Sequence, residues 1–536
     1  AAGTPGRPAH GGPSAYVVAR MKTVFLYGPP GSGKTAVGRE LATRLQLDFT
    51  DLDEVIEAQS SMRITQIMQN GGESAFRALE NKALRSAACQ GNNIIALGGG
   101  ALLCPENRSF VEACGTVVIL DAATSTLLGR MGEKPNDRPL LDGDMPGRLT
   151  SLLEQRREHY AVFPIHVSTD NRTASQIVEE VQIALGRFRV HAGKAAYDVY
   201  LEHEGLEKCW IYLEKLNSMS SVGIVTDSHV VDYYGNQLVS NLRKHGFETH
   251  LFTIPAGERY KTIETINALW NNFAAAGIDR HSVILALGGG VTSDIAGFAA
   301  SGYMRGIRWG VLPTSLLGMV DASIGGKTGV DLAAGKNLVG AFYPPAFVLA
   351  DPRTLQTLPE REIRNGLAEI VKHGIIADPY LFELCQRDSD EYDDAIVPMA
   401  ARAMAVKIGI IENDPYEHGN RAVLNFGHTC GHAIEAASAY QLSHGEAVSI
   451  GMVAETRLAE RMGLASTWLS EQIRCVLRAL DLPVDIPKGL AKETVKDFMT
   501  KDKKKAGHTL HFSLPVEIGK VVHGRQVDDL DLLFEE

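Results

Sequence analysis

The sequence predicts an α/β protein with two parallel-sheet parts and a mostly α-helical C-terminal part. Three observations carry that reading. Thr23 to Tyr27 is a short apolar run that enters the glycine-rich turn GPPGSGKT and then the helix-like stretch AVGRELATRL. Val283 to Leu287 does the same, entering Gly288, Gly289 and Gly290 before a helix-like run from Val291 to Ala300. Strand, glycine turn and helix in that order make the repeating unit of a parallel sheet. After Asp351 the pattern changes to long helical runs, which places a boundary near residue 355.

At 536 residues, with 45% hydrophobic residues, the chain exceeds one ordinary core, and about three domains is the expectation. No apolar run reaches the ~20 residues that a membrane crossing needs. A net charge of -11 argues against non-specific nucleic-acid binding, so anionic ligands must be held by local basic pockets. Seven scattered cysteines form no CxxC pair, which fits a reducing, cytoplasmic setting. Residues 1–20, rich in Gly, Pro and Ala ahead of Met21, read as a disordered lead.

Gly28 to Thr35 (GPPGSGKT) fits G-x-x-x-x-G-K-[ST] in full, in the strand-and-helix context that a P-loop requires. The amides of Gly28, Gly31, Ser32 and Gly33 would cradle phosphates, Lys34 would reach the transferred phosphoryl group, and the Thr35 hydroxyl is placed for Mg²⁺. This much leaves GTPase, ATPase motor and small-molecule kinase open. Asp51 and Asp53 follow a second apolar stretch and share one side of an extended chain by the period of two. GGESAFRALE with Arg77, the glycines Gly98, Gly99 and Gly100 after another strand, NDRPLL with Arg138, and RREHY with Arg156 come next. In this order the set resembles shikimate kinase across residues 21–187. The resemblance implies a P-loop domain of the nucleoside-monophosphate-kinase kind using ATP with Mg²⁺. It implies that Asp53, Arg77, Gly98 to Gly100 and Arg156 hold shikimate, and that Asp51 and Thr35 serve Mg²⁺. It implies that Arg138 closes over ATP from a charged, Gly- and Pro-containing lid, and that Asp53 orients the attacking hydroxyl. Arg130 falls at the adenine-stacking position, although the segment from it to Arg138 is one residue longer than the family pattern.

Gly186 to Ala196 (GRFRVHAGKAA) is polar and basic and reads as the linker, with 188–196 as its bounds. Val222 to Thr226 is a strand closing on Asp227, a place where a carboxylate can hold a cofactor ribose. No complete GxGxxG is present, which excludes an ordinary Rossmann dehydrogenase. Past the glycine turn, Arg305, Lys327 and Lys336 alternate with Thr314, Ser315, Asp321 and Asn337, a fixed positive lining suited to a carboxylate or phosphate.

GGGVTSD, YMRG, PTSLLGMVDASIGGKTGVD and GKNLVGAFYPP resemble 3-dehydroquinate synthase, and the match continues almost to the C-terminus. The resemblance implies a Rossmann-like NAD-binding domain over 197–354 and a helical metal- and substrate-binding domain over 355–536. NAD⁺ would meet Asp227, Glu258 and Lys261 (from PAGERYK), Gly289, Gly290, Val291, Asp294, Thr314 and Ser315. From spacing alone, His428 and His432, at i and i+4 on one helix face, are the metal pair. The resemblance instead implies Glu369, His428 and His444 as ligands of Zn²⁺ or Co²⁺, with His432 facing the substrate phosphate. Arg305, Asp321, Lys327 and Lys372 would share in catalysis, while Lys336, Asn337, Lys407, Arg421, Asn425 and Lys503 would bind substrate.

The chain is thus expected to join shikimate 3-phosphorylation with conversion of 3-deoxy-D-arabino-heptulosonate 7-phosphate to 3-dehydroquinate and phosphate. In the latter chemistry hydride leaves C5 and returns, so NAD is not consumed. The competing readings are a metal- and NAD-dependent polyol dehydrogenase for the second half, or one half serving as a non-catalytic nucleotide-binding regulatory module. Small-molecule substrates, no nucleic acid or membrane partner, and a homodimer through the C-terminal half complete the expectation.

Overall fold

The computed structural model describes residues 22–89, 91–132, 144–333, 335–386, 392–506, 510–527 and 529–534, with the side chains of 392–394 and 501–506 excepted. Two compact units result, the first ending at Val178 and the second beginning at Glu179.

The first unit holds five parallel strands, β1 (Thr23–Tyr27), β2 (Asp48–Asp51), β3 (Asn93–Ala96), β4 (Gly115–Asp121) and β5 (His166–Ser168), in the order β2-β3-β1-β4-β5. The central β1 is buried throughout, as a strand covered on both faces must be. Its carboxyl end delivers the chain to the glycine turn and the helix Lys34–Leu45. Gly28 there has φ 137° and a Cβ on it would stand 2.2 Å from the Leu120 carbonyl oxygen, so only glycine fits. The carboxyl ends of β1, β2 and β3 are neighbours at one edge of the sheet, the edge at which ligands of parallel sheets bind.

The second unit contains a seven-stranded sheet of β6 (Arg187–Ala192), β7 (Ala195–Leu201), β8 (Val222–Asp227), β9 (Thr249–Ile254), β10 (Val283–Gly288), β11 (Arg308–Pro313) and β14 (Phe347–Ala350). The order is β6-β7-β14-β11-β10-β8-β9, and only the β6/β7 pair is antiparallel. A hairpin of β12 (Lys327–Leu332) and β13 (Gly335–Phe342) lies between β11 and β14 in sequence. Beyond β14 come helices, among them Glu360–Ala377, Tyr392–Asn413, His428–Ala437 and His444–Arg461, and a second hairpin of β15 (His511–Glu517) and β16 (Lys520–Gln526).

The segment expected to be a linker is instead the edge hairpin β6–β7. Phe188, Val190 and Ala192 are buried while Arg187, Arg189 and His191 alternate with them, a period of two that the polar composition concealed. Sheet and helices of this unit share one core: Val311 and Leu316 belong to the same apolar cluster as Leu367, Met404 and Val448. Among the described residues no helix is long and apolar enough to cross a membrane.

Candidate active sites

In the first unit the site grows from the ends of β1, β2 and β3. Lys34 folds back onto the turn, its Nζ donating to the carbonyls of Gly28 (3.0 Å) and Pro29 (2.9 Å). Gly31 and Gly33 take positive φ, 82° and 92°, and Ser32 is buried beside them. Such a turn aims successive amides at one point, the requirement for a phosphate cradle. Thr35 donates to Asp51 Oδ2 at 2.7 Å, which joins the two residues expected to serve Mg²⁺. Asp51 also accepts from the Asp53 amide at 3.1 Å and so starts the helix Leu52–Ser60.

The triple glycine after β3 is enclosed by the other expected residues. A Cβ on Gly98 would lie 3.3 Å from Asp53 Oδ1, and one on Gly100 would lie 2.7 Å from Arg77 Nη2 and 3.3 Å from Arg156 Nη2. Asp53, Arg77, Arg156 and Gly98 to Gly100 therefore converge. Arg77 is held by Glu80 (2.7 Å) and Glu73 (3.0 Å). Glu80 is buried, and burial pushes its carboxyl up against the opposing pull of Arg77. Arg156 donates to the Gly99 carbonyl at 2.7 Å, Tyr160 to the same oxygen at 2.8 Å and Tyr27 at 3.3 Å, with His159 Nε2 3.1 Å from the Tyr27 hydroxyl. Glu80, Tyr27 and His159 were given no role from sequence. Tyr27 gave no signal beyond a polar tip on an otherwise apolar strand, and His159 none that set it apart from its charged helix neighbours. Arg130 donates to the Thr169 carbonyl and hydroxyl at 2.6 and 2.9 Å. Arg138 lies outside the described residues.

In the second unit, β10 ends in the other triple glycine, and the helix Gly290–Gly302 starts there, carrying Val291 and Asp294. Thr314 and Ser315, after β11, flank the turn: the Thr314 amide donates to the Gly288 carbonyl at 3.0 Å, and a Cβ on Gly289 would stand 3.3 Å from Ser315 Oγ. Asp227, at the end of β8, accepts from the amides of His229 and Val230 (2.8 and 3.1 Å) and from the Thr292 hydroxyl (3.1 Å). Lys261 is buried and bonds Asn337 Oδ1 and Asp294 Oδ2, both at 2.6 Å, with Glu258 3.9 Å away. Burial lifts Asp294 to about 6 although Lys261 opposes the rise.

The metal-type cluster stands on three helices. Glu369 Oε1 is 3.6 Å from His428 Nε2 and 3.5 Å from His444 Nε2. The ligand atoms of Glu369, His428 and His444 lie within 4.8 Å of one another. His428 Nδ1 faces the Phe426 carbonyl at 3.1 Å, an arrangement that puts its N–H on Nδ1 and leaves the Nε2 lone pair toward Glu369. The Glu369 oxygens are fully buried and accept no hydrogen bond, with the Lys372 ammonium and the two imidazoles as ion-pair neighbours. Against a burial that would raise it, Lys372, His444 and His428 hold this carboxylate well below its usual range. Against a burial that would lower it, Glu369 and Glu435 lift His444 to about 9. A buried carboxylate without hydrogen bonds facing two imidazole nitrogens fits a divalent cation. The His428 and His432 pair favoured by spacing alone is not the arrangement found. The His432 ring lies 5.1 Å from His428 and 5.9 Å from His444, beside the cluster.

Around it the charges alternate. Lys407 reaches Asp321 Oδ1 (2.5 Å), Lys336 reaches Glu435 Oε1 (2.8 Å) and Lys327 pairs with Glu417. The lysines of the expected positive lining therefore have acidic partners in the fold, and the buried Lys407 needs one because desolvating an unpaired ammonium costs several kcal/mol. Arg421 is buried and donates to the Pro415 carbonyl at 2.6 Å. Two expected residues are not drawn in. Arg305 is exposed with φ 68°, and Asn425 is exposed at the end of the 3₁₀ turn Asn420–Asn425. The Lys503 side chain is outside the described residues. His373, buried with both ring nitrogens unbonded and Nε2 4.0 Å from Asp321, and Glu435, between His444 and Lys336, were missed.

Residues 251–365 match the family described as 3-dehydroquinate synthase N-terminal, 366–505 its C-terminal counterpart, and 30–185 shikimate kinase. The 3-dehydroquinate synthase of Desulforamulus reducens is 39% identical over 354 residues, covering 65% of this chain and 99% of the relative. That of a Picosynechococcus species is 40% identical, covering 63% and 95%. Among solved structures, a 2-epi-5-epi-valiolone synthase from Streptomyces hygroscopicus with NAD⁺ and Zn²⁺ bound is 33% identical with a TM-score of 0.57, covering 65% of this chain and 97% of that one. A 2-deoxy-scyllo-inosose synthase complexed with carbaglucose-6-phosphate, NAD⁺ and Co²⁺ is 28% identical with a TM-score of 0.57, covering 63% and 94%. Phosphate-cradling turn and arginine-lined crevice in one unit, NAD-type sheet and buried acid-imidazole cluster in the other, agree with these matches: the chain belongs to the 3-dehydroquinate synthase family and carries a shikimate kinase domain ahead of it.

Proposed function

We propose that the chain performs both reactions with the residues assembled above, and that the single observation carrying the synthase part is the buried Glu369 carboxylate facing His428 and His444. Glu369, His428 and His444 would hold Zn²⁺ or Co²⁺, and the Gly289–Gly290 turn with Asp227, Glu258, Lys261, Asp294, Thr314 and Ser315 would hold NAD⁺. Bound metal and NAD⁺ supply Lewis acidity and reversible hydride acceptance. The chain's own groups do the rest. Lys336, Asn337, Lys407, Arg421 and His432 bind the carboxylate and phosphate of 3-deoxy-D-arabino-heptulosonate 7-phosphate. To do so, Lys336 and Lys407 exchange their present carboxylate partners for those of the ligand. Lys372 keeps Glu369 ionised, and Asp321 orients Lys407. Arg305, Asn425 and Lys503 remain assigned to substrate on motif grounds.

In the kinase unit, ATP with Mg²⁺ would sit on the P-loop, with Thr35 and Asp51 beside the metal. Lys34 leaves its carbonyl partners for the phosphates, and Asp53 holds the attacking hydroxyl. Arg77 and Arg156 fork the shikimate carboxylate over the Gly98–Gly100 turn, while Arg138 closes on ATP. Positioning and charge neutralisation are the greater part of phosphoryl-transfer catalysis. The bounds proposed are a kinase domain to about residue 187, an NAD-binding part to 354 and a helical part from 355. The synthase part is proposed to form a homodimer, and the chain to work in the cytoplasm.

The test is phosphate release from 3-deoxy-D-arabino-heptulosonate 7-phosphate with NAD⁺, with and without chelator, while NADH absorbance is followed. Release that chelation abolishes, with no accumulation of NADH, is expected. Steady NADH production would instead mean a polyol dehydrogenase. In parallel, ATP-dependent phosphorylation of shikimate tests the first unit.

A further inference from the structure

The helix His428–Ala437 begins on a glycine and has no side-chain cap of its own, so the amides of its first turn need partners from elsewhere. They find them on the helix His444–Arg461, three turns beyond His444. Glu455, fully buried, accepts from the Gly427 amide at 2.7 Å through Oε2 and from the Cys430 amide at 2.9 Å through Oε1. Backbone meets backbone next to it. A Cβ on Gly451 would lie 2.0 Å from the Gly427 carbonyl oxygen and 2.8 Å from the Gly431 amide nitrogen, and Gly427 itself takes φ 77°. The two helices are therefore locked in one register by glycine contact, and the carboxylate fixes the rotation of the first turn. His428 sits inside the span that Glu455 brackets.

We propose that Glu455 is a positioning residue for the metal site: by capping the Gly427 and Cys430 amides from the helix that also carries His444, it holds His428 in the orientation from which Nε2 meets a divalent cation. The inference rests on the metal reading of Glu369, His428 and His444. Glu455 touches neither metal nor substrate. Its loss frees the turn to rotate, and outer-shell supports of this kind change metal affinity by about 10- to 100-fold.

The experiment is Co²⁺ titration of the full chain, wild type, Glu455→Gln and Glu455→Ala, reading the visible ligand-field band and the affinity in competition with a chelator. Shikimate phosphorylation and NAD⁺ binding serve as controls for folding. Glu455→Ala is expected to bind Co²⁺ about 10- to 100-fold more weakly with an altered band. Glu455→Gln, whose carbonyl can serve one amide while its NH₂ opposes the other, is expected to fall between. Equal affinity and an unchanged band in all three would overturn the proposal and leave the metal reading standing. Failure of the wild type to take up Co²⁺ would overturn the metal reading itself. Should neither variant fold, amide hydrogen exchange in the metal-free wild type decides: protected Gly427 and Cys430 amides support the cap, and freely exchanging ones overturn it.

Discussion

Two triple-glycine turns, Gly98–Gly100 and Gly288–Gly290, each end a buried parallel strand, yet their surroundings differ in kind. The first is closed by side chains: Arg156, Tyr160 and Tyr27 all donate to the Gly99 carbonyl, and Arg77 stands over Gly100. The second is flanked by hydroxyls, Thr292 and Ser315, and opens a helix whose first turn has no side-chain cap. The cations of this unit are paired with carboxylates, Lys261 with Asp294 on that same helix, Lys336 with Glu435 and Lys407 with Asp321. Glycine thus licenses close approach of a ligand in both places, and the neighbouring charge decides which ligand. An arginine-lined turn would suit a carboxylate, and a helix N-terminus with hydroxyls would suit a diphosphate.

The contrast makes ordered predictions. Lys34→Ala should lower kcat for shikimate phosphorylation by about 10³-fold or more, as removal of transition-state charge does, while phosphate release by the synthase unit keeps its wild-type rate. A parallel fall in the second activity would break the separation of the sites. Lys407→Ala removes a buried ammonium and leaves Asp321, itself half-buried, without that partner, so the synthase unit should lose at most about 3 kcal/mol in denaturant unfolding. Adding Asp321→Asn should restore part of that loss, whereas additive losses would show the pair is not coupled. Glu369→Ala should weaken Co²⁺ binding by more than about 100-fold, beyond the ~10- to 100-fold that loss of an outer-shell support produces, and leave the kinase unit's KM for shikimate unchanged. Tyr27→Phe removes one of three donors to Gly99. A net hydrogen bond of about 0.5–1.5 kcal/mol corresponds to a 2- to 10-fold rise in that KM, and an unchanged value would mean that Arg156 and Tyr160 suffice.

What the sequence made legible was local. The P-loop, the two glycine turns and the helical runs after Asp351 are written in neighbouring residues, and the structure places them as strand end, turn and helix. The proposed metal cluster was legible only through long motifs, because Glu369 and His444 lie on different helices and no spacing relates them. The neutralised lysines were not legible at all: Lys327 meets Glu417 across 90 residues of chain and Lys336 meets Glu435 across 99. A lysine in a glycine-rich stretch looks unpaired until the fold supplies its acid. The β6–β7 hairpin was lost for another reason, since outward-facing Arg187, Arg189 and His191 dominated the reading of a strand whose inner face is apolar.

The core shared by sheet and helices in the second unit has a consequence for how that unit comes apart. Residues on either side of position 355 bury one another, so the parallel sheet and the helices beyond it are expected to melt as one cooperative body, with a single heat-absorption peak from this unit. A polypeptide cut at that point would yield two fragments that each expose an unfinished apolar face.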